Sequence, residues 1–199
     1  MKKLKNKIII VTGGNGLLGK EILKNISEEG GTPICADVII NKQSHYDQIY
    51  CDISSEESIE NLLNEVIKKY NKIDGLVNNA YPRTNDWHLD FEKIKLDSWK
   101  KNIDLQLNSN FVIIQKVTKY MKKNKSASIV NMSSVYGVIG PDFSIYEGTE
   151  MTMPAAYSAI KGGLISFTRY LASYYGKDSI NINCISPGGI LDDQPMKFV

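Results

Sequence analysis

Thr12-Gly13-Gly14-Asn15-Gly16-Leu17-Leu18-Gly19 follows the β-branched run Ile8-Ile9-Ile10-Val11 and contains Gly14-x-Gly16-x-x-Gly19. Glycines at this spacing let a backbone turn tightly and approach a pyrophosphate, which then rests on the unpaired N–H groups of a helix N-terminus. A tight turn without a ligand can carry the same glycines, so the flanks decide. A strand comes before, a helical pattern after, and Asp37 ends the second strand 18 positions beyond Gly19. This predicts a βαβ unit that holds a dinucleotide, with Gly13, Asn15, Gly16, Leu17 and Gly19 at the phosphate turn and Asp37 on the adenosine ribose hydroxyls. A carboxylate there repels the extra phosphate of NADP, and no Arg or Lys stands at positions 35 to 41 to receive it. NAD is therefore expected over NADP. The alternative for Asp37 is a strand-end cap. Cys51-Asp52-Ile53 closes the next apolar stretch, where Asp52 and Ile53 would meet the adenine, or Asp52 would only open a loop.

Outward from this turn, short β-branched runs alternate with longer segments of helical period, the pattern of a doubly wound parallel sheet in a three-layer α/β/α (Rossmann-like) fold. Expected strands are Lys7 to Thr12, Pro33 to Asp37, Ile73 to Asn78, Ser128 to Ser133 and Ile180 to Ile185. Ile59, Leu62, Leu63, Val66, Ile67 and Tyr70 follow the i, i+3, i+4, i+7 rule, with Ser54 and Glu57 as a capping box. Further helices are expected over Trp99 to Met121 and Tyr157 to Tyr175. The 199 residues carry 24 Lys+Arg against 22 Asp+Glu, a net charge of +2, so no basic field is available to a phosphodiester backbone. Nucleic acid is not an expected partner. The apolar run Ile8 to Val11 is too short for a signal peptide, no stretch reaches a membrane span, and the expected location is the cytoplasm. Cys35, Cys51 and Cys184 lack any metal-ligand spacing and read as small buried residues.

Tyr157-Ser158-Ala159-Ile160-Lys161 puts a phenol and an ammonium one helical turn apart on one face. A phenol serves as acid or base near neutrality only when a positive charge stabilises its phenolate, and an ammonium about 4 Å away at an effective dielectric near 20 supplies about 4 kcal/mol. A surface Tyr and Lys on an amphipathic helix is the bland reading, and the surroundings oppose it.

The glycine turn, Asp37, Asn78-Asn79-Ala80, Ser134, Tyr157-x-x-x-Lys161 and Asn183-x-x-Ser186-Pro187-Gly188 stand in the order that resembles the short-chain dehydrogenase/reductase family, from about residue 7 to 195. The resemblance implies an NAD(P)-dependent oxidoreductase moving a hydride between nicotinamide and a secondary alcohol or ketone. It implies that Tyr157 is the general acid/base, that Lys161 stabilises its phenolate and holds the nicotinamide ribose, and that Ser134 hydrogen-bonds the substrate carbonyl. Pro187, Gly188 and Ile190 would lie against the nicotinamide, and Asn79 and Ala80 would form the floor beneath the cofactor.

Four departures mark this chain. The glycine spacing resembles the family's extended, sugar-nucleotide-modifying branch. Asn-Ala-Gly becomes Asn79-Ala80-Tyr81-Pro82. Gln106 stands where the family places an active-site asparagine. Ser134 and Tyr157 are 23 positions apart, with the extra residues within Gly140 to Pro154, a segment that must emerge beside the active site and whose aromatic, acidic and hydroxyl groups either bind a polar, sugar-like substrate or form a surface loop that serves only a neighbouring subunit. Asn79-Ala80-Tyr81-Pro82, the inserted segment and the ending Ile185 to Pro195 together are similar to a subgroup of oxidoreductases of bacterial flagellin and surface-glycan modification. The resemblance also implies a homo-oligomer, dimer or tetramer. Family members run longer, so the single domain 1–199 is expected to be cut short, without the last strand and lid. An inactive nucleotide-binding scaffold and an NAD-retaining epimerase or dehydratase are the alternative functions.

Overall fold

A computed structural model describes residues 2–124, 126–192 and 194, so positions 193 and 195 of the expected cofactor-side ending lie outside the described residues. Six strands, β1 Ile8–Thr12, β2 Thr32–Asp37, β3 Asp47–Tyr50, β4 Gly75–Asn78, β5 Ala127–Met132 and β6 Ile180–Ile185, form one sheet in the order β3-β2-β1-β4-β5-β6. Every pairing is parallel. The connections carry α1 Leu17–Glu28, α2 Glu56–Tyr70, α3 Leu96–Ile103, α4 Ser109–Met121 and α5 Ala155–Tyr175. This is the doubly wound α/β architecture read from the glycine turn. Its strand order reverses between β1 and β4, and a crevice opens at the carboxyl ends of the strands at such a point.

Successive residues of β1 face opposite layers. Ile8 and Ile10 join Leu62, Leu63 and Val66 of α2, Ile113, Val117 and Met121 of α4, and Leu171 of α5. Val11 and Cys35 instead meet Leu23 and Ile26 of α1. Each such aliphatic side chain stabilises the fold by about 1.5–3 kcal/mol relative to an exposed one. Burial also pushes the Cys35 and Cys51 thiols up to about 11, which makes them packing groups. Cys184, on the other hand, is only partly buried.

Three elements depart from the sequence reading. The edge strand β3, Asp47-Gln48-Ile49-Tyr50, escaped notice because Ile49 is its one aliphatic residue. It is tied to the end of α2, where Asp47 accepts from Lys69 Nζ at 2.6 Å and from the Tyr70 hydroxyl. The cap of α2 is Ser55, whose hydroxyl accepts from Ser58 N–H at 3.2 Å, while Ser54 turns to Asp52 Oδ1. Adjacent serines left the register open by one residue. The helix expected as one run from Trp99 starts at Leu96 and is interrupted between α3 and α4 by a π-turn, Asp104–Asn108. Here Ser109 Oγ donates to Leu105 O at 2.7 Å and Asn110 Nδ2 to Gln106 O at 2.5 Å. These side-chain donors occupy carbonyls of the helical ladder, and the wider turn rotates both Gln106 and Asn110 into buried positions.

The start of β1 is anchored by buried Asp74, which accepts from Ile8 N–H at 2.9 Å and pairs with Lys72 at 2.8 Å and Lys7 at 3.5 Å. Burial alone would raise its carboxyl; the hydrogen bonds from Lys72 and Ile8 and the two lysine charges outweigh it and hold the group below the usual carboxylate range. A folded-state value below the unfolded one stabilises the fold above the unfolded value, and that contribution disappears as pH falls through the folded one. Asp74→Asn is therefore expected to cost about 1–3 kcal/mol at neutral pH, with the deficit shrinking in acid, as read from urea denaturation midpoints over a pH series.

Candidate active site

The crevice is a cavity of about 1120 Å³ that runs from the glycine turn to Tyr157, Lys161, Pro187, Gly188 and Ile190. It exceeds the 300–1,000 Å³ common for single small-molecule sites. At one end, Gly13 has φ +63°, and a Cβ on it would lie 2.8 Å from Ala80 Cα. A Cβ on Gly19 would lie 2.1 Å from Gly13 O. Glycine alone lets this turn close on itself and sit against the loop after β4. That loop is stitched to it, because Asn79 Nδ2 donates to Gly13 O at 3.0 Å and Thr12 Oγ1 accepts from the N–H groups of Asn79 and Ala80. Helix α1 begins after Gly16 with no side-chain cap and no acid in its first turn. The Gly16 N–H donates to Gly13 O at 3.1 Å, and the first N–H groups of the helix, at Leu17 and Leu18 on the cavity wall, remain available to an anion.

Asp37 ends β2 on the same wall, with Oδ2 accepting from Asn15 N–H at 2.9 Å and Oδ1 from Ile39 N–H at 3.0 Å. Each carboxylate oxygen keeps a second lone pair for a ligand hydroxyl. The Asn15 side chain is turned away, donating to Ile39 O at 2.6 Å and Gln48 Oε1 at 2.8 Å. Two expected adenine contacts stand elsewhere. Asp52 accepts from Ser54 N–H and hydroxyl through Oδ1, and Ile53 belongs to the buried core, so neither lines the cavity. Gly19 supports the turn from behind and is not on the wall either.

At the other end, Tyr157 and Lys161 share one face of α5. Lys161 is only 9% exposed, its Nζ donates to Met132 O at 2.7 Å, and burial pushes its ammonium down to about 8, with a small opposing effect from Cys184. The ammonium lies 5.4 Å from the ring centres of both Tyr157 and Tyr81. Trp87 closes an edge-to-face cluster with these rings, at 5.8 Å from Tyr81 and 6.3 Å from Tyr157. The end of β5 is locked to α5 and to the ending: Ser133 Oγ donates to Lys161 O at 2.9 Å, Val135 N–H to Pro187 O at 3.0 Å, and a Cβ on Gly137 would meet Lys161 backbone at 2.6 Å.

Ser134 is buried at the start of a 3₁₀ turn, Val135–Gly137, with its hydroxyl accepting from Tyr136 N–H at 3.2 Å; its neighbour Ser133 is the serine on the cavity wall. Gln106 is 3% exposed, and neither polar atom of its amide has a hydrogen-bond partner among the described residues. Within the inserted segment, Phe143–Tyr146 forms a 3₁₀ turn that buries Tyr146. Its phenol is raised by burial first, then by a hydrogen bond with Tyr136 and by the neighbouring Tyr136 and Tyr157.

Several cavity residues carry no motif. Ile39, Ile40 and Asn41 come just after Asp37 and Val38, and the signal that would have found them is an apolar pair left in the loop that follows β2. Arg83 and Tyr81 also line the wall; the substitution of glycine by Tyr81 flagged that loop, but nothing in the sequence put its ring over Lys161.

The short chain dehydrogenase family model matches residues 7–197. Post-translational flagellin modification protein A of Campylobacter coli is 33% identical over 209 residues, covering 98% of this chain and 82% of that protein. The crystal structure of a short chain dehydrogenase from Leptospira borgpetersenii with bound NAD+ is 30% identical, with a TM-score of 0.87 over 98% of this chain and 76% of that one. Ligand-free aldohexose dehydrogenase of Thermoplasma acidophilum is 26% identical, with a TM-score of 0.81 over 94% and 68% of the two chains. With its parallel sheet, glycine turn and Tyr157/Lys161 pair inside the matched span, the chain belongs to the short chain dehydrogenase family.

Proposed function

We propose that this chain is an NAD-dependent oxidoreductase acting on a secondary alcohol or ketone of a sugar or sugar nucleotide, in bacterial flagellin or surface-glycan biosynthesis. The observation that carries the reading is the Tyr157 ring with the Lys161 ammonium at 5.4 Å, on the wall of a cavity whose other end is a glycine turn and an uncapped helix. The chain's groups fit a dinucleotide: the first N–H groups of α1 suit a pyrophosphate, the free lone pairs of Asp37 suit two ribose hydroxyls, and Ile39 and Ile40 offer apolar surface to an adenine. Asn79 and Ala80 would form the floor, and Pro187, Gly188 and Ile190 would back the nicotinamide. When bound, NAD supplies the hydride acceptor, and NADH the donor. The protein supplies orientation and the proton.

In oxidation, Tyr157 Oη takes the proton of the substrate hydroxyl; in reduction, it returns a proton to the carbonyl oxygen. Lys161 favours the anionic phenolate through its charge and would hold the nicotinamide ribose. Ser134, next to the wall serine Ser133, would donate from Oγ to the reacting oxygen, its hydroxyl still accepting from Tyr136 N–H while its own hydrogen turns to the substrate. Gln106, whose buried amide has no hydrogen-bond partner among the described residues, would take the place of the family's active-site asparagine at the π-turn. A sugar fits the aromatic surface of Tyr81 on the cavity wall, and the similarity to a flagellin modification protein and an aldohexose dehydrogenase supports that class. Exposed Phe111 and Tyr170, with Phe167 between them, offer a face for pairing into a homo-oligomer, and the cytoplasm, which holds NAD, is the proposed location.

Replacing Tyr157 by Phe should lower kcat by about 10²–10⁴-fold while NAD affinity by fluorescence titration stays nearly unchanged; undiminished NADH formation from a panel of sugar nucleotides would refute the assignment. Native protein that converts a sugar nucleotide without net NADH would instead favour epimerase or dehydratase chemistry. Asp37→Ala should weaken NAD binding and narrow the preference for NAD over NADP, measured as the ratio of the two dissociation constants.

A further inference from the structure

The Lys161 ammonium has three N–H donors and one hydrogen-bond acceptor among the described residues, Met132 O. No carboxylate pairs with it among the described residues. The groups that face it are the Tyr157 ring from its own helix, the Met132 carbonyl from β5, Cys184 from β6 and the Tyr81 ring from the loop after β4, whose Arg83 lies 5.5 Å from the same ring centre. The ammonium and the two ring centres form a nearly equilateral triangle, with the rings 5.7 Å apart and close to perpendicular. Trp87 braces both rings, and Pro82 restricts the Tyr81 backbone to extended conformations. A cation within about 6 Å of an aromatic centre is attracted by the negative face of the ring, most strongly where water is excluded.

We propose that Tyr81 is a positioning residue for Lys161, its ring seating the charged ammonium between Met132 O and Tyr157. The role of that ammonium in turnover rests on the oxidoreductase reading above, whereas the seating itself does not. Tyr81 acts on Lys161 in two opposed ways. The ring's negative face favours the charged amine, and the ring's bulk keeps water away and disfavours it. Substitutions at position 81 separate the two. Leucine keeps apolar bulk without the ring, phenylalanine keeps both, and glycine removes both.

The test is an NMR titration of the Lys161 ε-methylene in the full chain without cofactor, its signal assigned by loss in Lys161→Arg. In Tyr81→Leu the titration midpoint should fall by about half a unit to one unit below that of the unsubstituted protein. In Tyr81→Phe it should not move, and in Tyr81→Gly it should rise toward an ordinary lysine value as water enters. Pentafluorophenylalanine at position 81 keeps the ring's shape but drains its negative face, so it should lower the midpoint even if the leucine variant does not fold. An unchanged or raised midpoint with leucine or with the fluorinated ring overturns the proposal. In turnover, Tyr81→Phe should rescue the kcat lost in Tyr81→Leu; failure of that rescue also counts against it. Full activity in Tyr157→Phe would overturn the oxidoreductase mechanism alone, since the titration does not depend on it.

Discussion

Lys161 brings a positive charge to a place from which water is largely excluded, and much of the cavity is arranged around keeping it there. A buried ammonium loses hydration, which is why its proton is held only to about pH 8 rather than near 10.5. One carbonyl, Met132 O, and two aromatic rings replace part of that hydration. Everything that fixes those partners therefore fixes the charge: the β5–β6 pairing that sets Met132 opposite Ile185, the Ser133 hydrogen bond to Lys161 O, and the glycine at 137 that lets the turn after β5 lie directly on α5. A methyl group at position 137 would separate the strand that carries the acceptor from the helix that carries the donor.

The opposite end of the cavity is held by backbone rather than by charge. The β1–α1 turn closes through contacts that leave no room for a Cβ at Gly13 or Gly19, and the loop after β4 is sewn to it by Thr12 and Asn79. Asp37 joins the two levels of organisation. Its carboxylate orders the turn through Asn15 N–H and the following loop through Ile39 N–H, so the group proposed to read the ribose also shapes the wall that the ribose meets. Both ends converge on the crevice because the sheet reverses its order between β1 and β4.

The fold was legible because its signals are local. Three glycines after a β-branched run, an acid at the end of the next run, and a strong helical period over residues 59 to 70 each have a mechanism that acts within a few residues. The same locality explains what was missed. Edge strand β3 carries mostly polar residues, because only part of its surface meets the core. The π-turn at Asp104–Asn108 depends on side-chain donors at Ser109 and Asn110 competing for carbonyls, a contest that apolar periodicity does not register. Asp52 followed an expected spacing but found a nearer donor in Ser54. Tyr81 was visible as a departure from the family pattern, yet its contact with Lys161 joins residues 80 positions apart and exists only once α5 is packed against the sheet that carries β4.

In the proposed complex, Tyr157 and Lys161 face a nicotinamide ring while the glycine turn and Asp37 hold the other half of the same dinucleotide. A crystal structure of the full chain grown with NAD tests it most directly. The pyrophosphate is expected at the start of α1, the adenosine ribose on Asp37 and the Tyr157 hydroxyl within hydrogen-bond reach of a substrate oxygen placed over the nicotinamide. A dinucleotide bound elsewhere, or a Tyr157 hydroxyl turned to solvent away from the ring, would contradict it.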